Sequence, residues 1–329
     1  MSDSGGVTVK PARADRTSDM AVLVNERLDV ADDVIALTLT PAPGTDGLPA
    51  WGPGAHIDVV ISDSVTRQYS LCGDPRDRDR YRIAILRVAD GRGGSQLLHD
   101  IAVPGRELIV RAPRNHFELV PAESYLFVAG GIGITPILAM IASVERTGSD
   151  WKLLYGGRTR ASMVYRDELA AYGDRVVLQP QDEFGLLDLH GVLSNTPRGA
   201  EVYACGPEPL LTALEAACSH QGRAAPHSER FSPKVIENAL DTQFEVRLER
   251  SDRTVIVPAG RSVLEALEAD GLAPAFTCRE GTCGSCETVV LAGRVDHRDS
   301  LLSNEEKEAN DTMMICVSRC HDTRLVLDL

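Results

Sequence analysis

The sequence predicts three consecutive domains: an antiparallel β-barrel, an α/β domain with a parallel sheet, and a small α+β domain of the β-grasp type. Short β-rich segments separated by turn residues fill the first third, and strands alternate with helices in the middle third. A hairpin, a helix and a cysteine-rich loop make up the last third, and a length of 329 residues allows two or three domains. The predicted ranges are 1–18 for a flexible tail, 19–120 for the barrel, 121–230 for the α/β domain, 231–242 for a linker and 243–329 for the last domain.

The first domain is predicted to be a closed barrel. Its apolar segments are short, and each is bounded by clusters of Pro, Gly and Asp, which is typical of strands joined by tight turns. The predicted strands are AVLVNERLDV, VIALTLT, HIDVVI, RQYSLC, RYRIAILRV and ELIVRAP.

Two motifs in the barrel indicate a ligand. Arg67, Tyr69 and Ser70 place a cation, an aromatic ring and a hydroxyl on one strand. Gly93-Gly94-Ser95 precedes an apolar helix, SQLLHDI, and a glycine-rich turn at a helix N-terminus offers bare N–H groups to a phosphate. Each motif alone is equally typical of an ordinary strand or a capped turn. Together, upstream of a nucleotide-type domain, they predict a flavin phosphate site.

The middle domain contains two glycine-rich strand ends. Gly130-Gly131-Ile132-Gly133 joins a buried strand to a helix, without the G-x-G-x-x-G fingerprint. Cys205-Gly206-Pro207 ends a later strand in the same way, and further helices are predicted over MVYRDELAAYG and near GVLSNT. Alternating strands and helices predict a doubly wound parallel sheet, in which both strand ends lie at one edge and form a ligand crevice.

The last domain is predicted to be a mixed sheet around one helix. FEVRLERSDRTVIVPAG forms a hairpin, and ETVVLAGRV, TMMICVS and RLVLDL form further strands. In SVLEALEADG, Ser262 is the helix N-cap, Glu265 completes a capping box and Gly271 ends the helix. Such a sheet gripping one helix suits the small ferredoxin fold.

Four cysteines in this domain predict a 2Fe–2S cluster. Cys278, Cys283 and Cys286 have the spacing C-x4-C-x2-C, and Cys316 follows after 29 further residues. This is the plant-type ferredoxin spacing, and such a cluster carries one electron at a time. Small residues in the loop allow backbone N–H groups to approach the sulfurs.

Other interpretations of the cysteines fit less well. A zinc site usually shows two close ligand pairs, often with histidine, and a disulfide framework requires a small cysteine-dense secreted domain. With 8 cysteines in 329 residues the chain is not cysteine-dense. Cys72, Cys218 and Cys320 are therefore predicted to be packed thiols.

Composition excludes several classes of partner. The net charge of −14 argues against nucleic acid. No run of 18 apolar residues exists, so no membrane span is predicted, and the N-terminal segment lacks the apolar region of a signal peptide. Free cysteines without an export signal predict a cytoplasmic location. Residues 237–329 hold 18 acidic and 10 basic residues, which predicts either a solvated surface or an acidic docking face for a basic partner.

The ordered combination of R-x-Y-S, GGIGITP, CGP and the four cysteines resembles the phthalate dioxygenase reductase family, which includes vanillate demethylase reductases. The resemblance covers nearly the whole chain after the N-terminal tail. It implies an enzyme that uses a flavin and NADH and delivers electrons to an oxygenase component. With the acidic charge of residues 237–329, this partner is expected to dock on the ferredoxin domain.

The resemblance also implies roles for the barrel motifs. It assigns Arg67 to the flavin phosphate, Tyr69 to the flavin ring, and Ser70, a catalytic candidate, to the vicinity of the flavin N5. Gly93, Gly94 and Ser95 resemble the phosphate turn of the FMN-binding branch, which favours FMN, although FAD-binding relatives share R-x-Y-S.

For the nucleotide domain, the resemblance assigns the pyridine-nucleotide turn and the motif beside the nicotinamide, which contains the second catalytic candidate, Cys205. The family's domain-end motif F-E-S-F corresponds here to Ser228-Glu229-Arg230-Phe231, in which Phe231 still suits a position over the flavin. The residues so assigned are Gly130, Gly131, Gly133, Thr135, Cys205, Gly206, Pro207 and Phe231.

The choice between NADH and NADPH depends on Arg158, Arg160 and Ser162. These residues suit a 2′-phosphate, but they equally suit the pyrophosphate or a solvated helix start. Basic residues here also occur in NADH-using relatives, so NADH is favoured and Arg158 is assigned to the nucleotide site.

Electron counting orders the cofactors. NADH donates two electrons as a hydride, the cluster accepts one, and a flavin between them separates the pair. The reduction potential of a plant-type cluster is about −400 mV, so electron transfer from it to a Rieske oxygenase is downhill. Two alternatives stay open: a reductase for a haem monooxygenase, and a non-enzymatic redox sensor.

Overall fold

The structure is a computed structural model that describes residues 19–45, 47–62, 65–89, 91, 93–232 and 241–329. The predicted N-terminal tail, 1–18, and most of the predicted linker, 233–240, lie outside the described residues.

The first domain is a six-stranded antiparallel sheet in the order β4-β3-β6-β1-β2-β5. Its two edge strands approach each other just beyond β4, where the Cys72 N–H donates to the Arg82 carbonyl at 2.9 Å. The sheet therefore curves into the predicted barrel. Alternate side chains such as Ile57 and Val59 fill its core, as the period of a strand requires. The elements are β1 Asp19–Ala31, β2 Val34–Pro41, β3 His56–Ser62, β4 Val65–Ser70, β5 Tyr81–Leu86, α1 Gly94–Ile101 and β6 Glu107–Arg114.

The second domain is a five-stranded parallel sheet in the order β11-β10-β7-β8-β9, with helices packed on it. The order changes direction at β7, and this is the strand whose end carries the first glycine turn. The elements are β7 Ser124–Gly130, a 3₁₀ turn Gly131–Gly133, α2 Ile134–Thr147, β8 Asp150–Gly157, α3 Arg166–Ala170, a 3₁₀ turn Gly173–Arg175, β9 Val176–Pro180, α4 Gln181–Phe184, α5 Leu189–Ser194, β10 Glu201–Cys205, α6 Glu208–His220 and β11 His227–Glu229.

The helix predicted over MVYRDELAAYG is shorter than expected. Tyr165 adopts a left-handed φ of 59°, and the helical segment α3 begins only at Arg166. Met163 and Val164 precede this break and pack into the core of the domain. Their burial is a tertiary effect that the helical periodicity of the segment does not reveal.

The third domain contains a five-stranded mixed sheet in the order β13-β12-β18-β14-β16 around α7. The capping box of Ser262 and Glu265 forms as predicted. A second capping box, of Ser303 and Glu306, begins α8, a helix that the sequence analysis did not predict. The elements are β12 Phe244–Leu248, β13 Arg253–Val257, α7 Val263–Ala269, β14 Glu287–Ala292, β15 Val295–Asp296, α8 Asn304–Ala309, β16 Thr312–Met314, β17 Arg319–Cys320 and β18 Arg324–Leu327.

The strand predicted over TMMICVS is also shorter than expected. It ends at Met314, and the Ser318 N–H turns back to the Met314 carbonyl at 2.9 Å. Cys316 therefore lies in a turn, which brings its sulfur toward the other three cysteines.

The barrel and the parallel sheet share one apolar core, to which the barrel contributes Cys72 and Phe117. An ion pair between Arg82 and Glu168 at 3.0 Å joins the same two domains. None of the helices in the described ranges combines the length and the apolar character that a membrane span requires.

Candidate functional site

The flavin motif lies at the end of β4. Ser70 is buried, and its hydroxyl has no hydrogen-bond partner among the described residues. Buried polar groups are normally paired, so this hydroxyl fits a ligand atom. Tyr69 is partly buried beside it, and burial raises the pKa of its phenol, which therefore stays neutral.

The first turn of α1 lies against Arg67. Gly93 caps the helix with a left-handed φ of 79° and no side-chain cap, which leaves the first N–H groups open to a ligand. A Cβ at Gly94 would come within 2.8 Å of the Arg67 Nε, so the missing side chain of Gly94 leaves room for this guanidinium against the turn. The Ser95 Oγ accepts from the Val88 N–H at 3.1 Å and thus braces the turn. A guanidinium beside a helix N-terminus fits a phosphate.

The two glycine-rich strand ends meet, as predicted. A Cβ at Gly133 would lie 2.2 Å from the Cys205 carbonyl oxygen, and one at Gly130 would lie 2.7 Å from Pro207 Cδ. A Cβ at Gly206 would lie 3.1 Å from the Gly130 Cα. The glycines therefore allow close packing at the switch point of the sheet, where α/β proteins bind nucleotides.

Other predicted nucleotide residues have structural roles in this crevice. Gly131 has a left-handed φ of 55° and starts the 3₁₀ turn, and the Thr135 hydroxyl donates to the Ile132 carbonyl at 2.9 Å within that turn. Pro207 is the N-cap of α6, directly before the first helical residue, so its missing N–H removes no hydrogen bond within the helix.

Glu229 is a functional candidate that the sequence analysis missed. It pairs with Cys205 in the register of β10 and β11, and its Oε2 lies 4.0 Å from the Cys205 Sγ. Burial raises the pKa of Glu229 to about 8, and burial also raises the pKa of the Cys205 thiol well above its usual range. The only sequence signal was the agreement of this glutamate with the second position of F-E-S-F.

Of the three 2′-phosphate candidates, Arg158 is exposed, and its guanidinium has no side-chain partner among the described residues. Arg160 forms a bidentate pair with Glu183, at 2.9 and 2.6 Å. The Ser162 hydroxyl bonds the Thr159 carbonyl at 2.9 Å. Two of the three basic or polar groups thus serve the local fold.

Arg230 explains how the departure from F-E-S-F is accommodated. Its side chain is only 8% exposed and donates to Glu208 at 2.7 Å and to Glu215 at 2.6 Å on α6. This pairing ties the end of β11 to α6 directly before Phe231, whose side chain is 43% exposed. An exposed aromatic ring held at this position is free to cover a planar ligand.

The four predicted cluster cysteines are buried together. The Cys278 sulfur lies within hydrogen-bonding reach of the Cys283 and Cys316 sulfurs, and the Cys316 sulfur within reach of that of Cys286. The hydrogen bond to Cys278 raises the pKa of both Cys283 and Cys316, so the free thiols resist joint ionisation. Bound iron removes this resistance because a coordinating thiol is deprotonated outright.

Donors to the sulfurs come from the cluster loop, residues 277–286. The Glu280 N–H lies 3.3 Å from the Cys278 Sγ, and the Ser285 hydroxyl lies 3.0 Å from the Cys283 Sγ. Within the described residues, no three His, Cys, Asp or Glu side chains converge as ligands of a single ion. A two-iron cluster needs no such group, because its four thiolates are divided between two irons.

Comparison with known proteins agrees with this arrangement. A family model for the 2Fe–2S iron-sulfur cluster binding domain matches residues 246–321, and one for the oxidoreductase NAD-binding domain matches residues 127–182. The phenoxybenzoate dioxygenase subunit beta of Ectopseudomonas oleovorans is 45% identical over 301 residues, which cover 91% of this chain and 94% of that protein.

Two solved structures are similar over nearly the whole chain. Phthalate dioxygenase reductase, described as a modular structure for electron transfer from pyridine nucleotides to a 2Fe–2S centre, is 34% identical with a TM-score of 0.69 and covers 94% of this chain and 98% of that one. An intact type IV self-sufficient cytochrome P450 monooxygenase is 43% identical with a TM-score of 0.88 over 94% of this chain. This chain spans only 41% of that larger protein.

Proposed function

This chain belongs to the phthalate dioxygenase reductase family and is a pyridine-nucleotide-dependent reductase component of an oxygenase system, and we propose that it passes electrons from NADH through FMN to its 2Fe–2S cluster and on to a Rieske-type oxygenase or demethylase. The observation that carries this proposal is the convergence of the sulfurs of Cys278, Cys283, Cys286 and Cys316 in one buried group. Such a group binds a carrier of single electrons.

FMN is the flavin that the barrel suits. The Arg67 guanidinium and the open first turn of α1 together suit one terminal phosphate, and Ser70 offers its buried hydroxyl to the ring. The bound flavin supplies the conversion of a two-electron donor into single-electron steps. Tyr69, kept neutral by its raised pKa, suits the face of the ring without exchanging protons.

NADH suits the crevice at the switch point of the parallel sheet. Gly130, Gly133 and Gly206 let the two strand ends pack closely together at this edge, and Cys205 and Glu229 line the strand ends where the nicotinamide would lie. Glu229, protonated over much of the neutral range, suits hydrogen bonding to an amide. Because Arg160 and Ser162 already have partners, the preference for NADH rests on the shortage of groups for a 2′-phosphate.

We infer that the oxygenase docks on the acidic third domain near α8. The exposed carboxylates of Glu305 and Glu308 lie on this helix, which begins three residues after Leu301. The Leu301 side chain lies against Gly284 of the cluster loop, where an added Cβ would be 3.1 Å from its Cδ2. Negative charge beside the cluster would attract a basic partner and speed encounter. Eight cysteines without a disulfide also suit the reducing cytoplasm.

A haem monooxygenase is the second candidate for the partner. The supporting observation is the 43% identity to a segment of the self-sufficient cytochrome P450, which exceeds the identity to the structure of phthalate dioxygenase reductase. Parallel assays with a purified Rieske oxygenase and a purified cytochrome P450 as acceptors would separate the two partners.

Anaerobic addition of NADH tests the proposal directly. We expect the flavin absorbance to bleach first and the cluster absorbance to follow, with NADPH much less effective. A protein whose flavin and cluster both stay oxidised would contradict the reductase and favour the redox-sensor alternative.

A further inference from the structure

Strand β3 turns a carboxylate to the outside of the barrel. Ile57 and Val59 point into the barrel core, so His56 and Asp58 point away from it. The outer face of a barrel strand is ordinarily hydrated. Asp58 nevertheless has no exposed surface, and His56 is only 5% exposed. Another part of the chain must therefore cover this face.

The cluster loop provides the cover at its first residue. Thr277, which precedes Cys278, donates its hydroxyl to the Asp58 Oδ2 at 3.4 Å and accepts from the Arg111 Nη1 at 3.4 Å. Both contacts are long for hydrogen bonds, so Thr277 rests at the edge of an ion cluster that is already formed within the barrel.

The other end of the loop also rests on the barrel. A Cβ added at Gly284 would lie 2.7 Å from the His116 Nε2, so the loop backbone and this imidazole are in close contact. The His116 and His56 rings stack at 6.0 Å between centroids. Along the chain, Cys278 and Cys283 thus lie between the two residues of the loop that contact the barrel. We name this barrel face the docking seat, and it consists of His56, Asp58, Arg111, Arg114 and His116.

The ion cluster makes the docking seat rigid. Arg114 donates to the Asp58 Oδ1 at 2.7 Å, Gln68 donates to the same oxygen at 3.1 Å, and an Arg111 nitrogen lies 3.9 Å from Oδ2. A buried carboxylate is tolerated only with such partners, and charged hydrogen bonds of this length fix geometry. Removing the charge would leave two guanidiniums without their common partner.

The docking seat is directly connected to the flavin motif. In the β3–β4 register, His56 is opposite Ser70 and Asp58 is opposite Gln68. We propose that Asp58 is a positioning residue for electron transfer, whose carboxylate holds the cluster loop through Thr277 at a fixed place beside the flavin-binding strand.

This inference rests on the proposed transfer from a barrel-bound flavin to the cluster. The electron that the reduced flavin loses is the electron that the cluster gains, and Asp58 exchanges neither electrons nor protons. Its contribution is geometric, because electron transfer slows steeply with distance and small misplacements of reacting groups cost large factors in rate.

The test uses the full-length holoprotein with Asp58→Asn and Thr277→Val, which remove the charge and the hydroxyl with little change in volume. Asp19→Asn is the matched control, because Asp19 pairs with the same Arg111 at 3.0 Å but is 57% exposed on β1. In anaerobic stopped-flow experiments, we expect flavin reduction by NADH within about twofold of the unmodified protein. Cluster reduction should slow about tenfold or more in the two test variants and stay unchanged in the control.

Amide hydrogen exchange supplies a readout that does not depend on turnover. Exchange across residues 277–286 should increase in both test variants, while the electron paramagnetic resonance spectrum of the reduced cluster stays unchanged. Unmodified rates and exchange in both variants would overturn the inference. Equal slowing of flavin and cluster reduction, or a changed cluster spectrum, would show that Asp58 serves only the folding of the protein. Either result would also overturn the inference. If the unmodified protein transfers no electron from flavin to cluster, the proposed function itself fails.

Discussion

The Cys205 thiol and the Glu229 carboxyl lie opposite each other on the parallel strands β10 and β11, with 4.0 Å between Sγ and Oε2. Burial raises the pKa of both groups, and no cation among the described residues offsets this effect at either one. The nucleotide crevice therefore holds two groups that are neutral near pH 7, which suits a site where a hydride moves without a general base.

The raised pKa of Glu229 predicts a pH-dependent stability. Between the ordinary value of 4.5 and about 8, the folded protein binds this proton more tightly than the unfolded chain does. Stability should therefore fall as pH rises through this window. Glu229→Gln should flatten the dependence of the thermal unfolding midpoint on pH, whereas Glu123→Gln, at an exposed position, should not. Identical slopes in Glu229→Gln and the unmodified protein would refute the assignment.

Replacement of a cluster ligand should separate the two halves of electron transfer. Cys283→Ser should abolish reduction of cytochrome c because the cluster is lost or damaged, and NADH should still reduce the flavin. Cys320→Ser is the control, since Cys320 is buried outside the four-cysteine group and its sulfur accepts a backbone N–H, that of Asp322 at 3.3 Å. Loss of flavin reduction in Cys283→Ser would argue against a serial path.

The flavin released by heat should elute as FMN in chromatography. Gly94→Ala should weaken its binding, since the new Cβ would lie 2.8 Å from the Arg67 Nε and displace that guanidinium from the helix N-terminus. Gly199→Ala, which meets no atom within 4 Å, should bind flavin normally. Release of FAD would overturn the interpretation of the Gly93–Ser95 turn.

The charge on α8 should control encounter with the oxygenase. The double variant Glu305→Gln, Glu308→Gln should lower the second-order rate of partner reduction at low salt and weaken its decrease with ionic strength. The exposed Glu245 of β12 provides the control substitution Glu245→Gln. A salt dependence that is unaltered by the double variant would place the docking surface elsewhere.

The clamp around Arg230 should stabilise the end of the nucleotide domain. Arg230→Ala removes a nearly buried guanidinium from two carboxylates that are 41% and 42% exposed, so we expect a loss of about 1–2 kcal/mol and a higher KM for NADH. Arg160→Ala breaks a more exposed pair, with side chains 45% and 39% exposed, and should lower the thermal unfolding midpoint less than Arg230→Ala does, because solvent screens the exposed charges. An equal cost in both variants would contradict this role for Arg230.

Local rules in the sequence predicted most of the elements. The period of alternation in β3, the capping box at Ser262 and Glu265, and the glycine turn after β7 each depend on neighbouring residues only. The ligand set Cys278, Cys283, Cys286 and Cys316 was also predicted from spacing, because a loop that wraps a cluster requires its thiols at short fixed intervals.

Two local expectations were wrong because tertiary contacts overrode them. Burial of Met163 and Val164 in the shared core, before the left-handed Tyr165, shortens α3, and the turn that closes on Met314 places Cys316 beyond its strand. The α8 helix was missed although Ser303 and Glu306 form the same kind of capping box as the one that begins α7. The helix itself is polar and has no buried residue, so the sequence shows no apolar face there.

The sequence by itself determined the domain types and the chemistry of each motif, because these depend on residue kinds and spacings that a single segment contains. Only the tertiary structure decided which side chains act together. Asp58 is a charged residue at an alternating strand position, where solvent exposure is the ordinary expectation, and Glu229 lies 24 residues from Cys205. Both became candidates because the folded chain brings them to partners that are distant in sequence: the cluster loop for the buried Asp58, and the neighbouring strand for the partly buried Glu229.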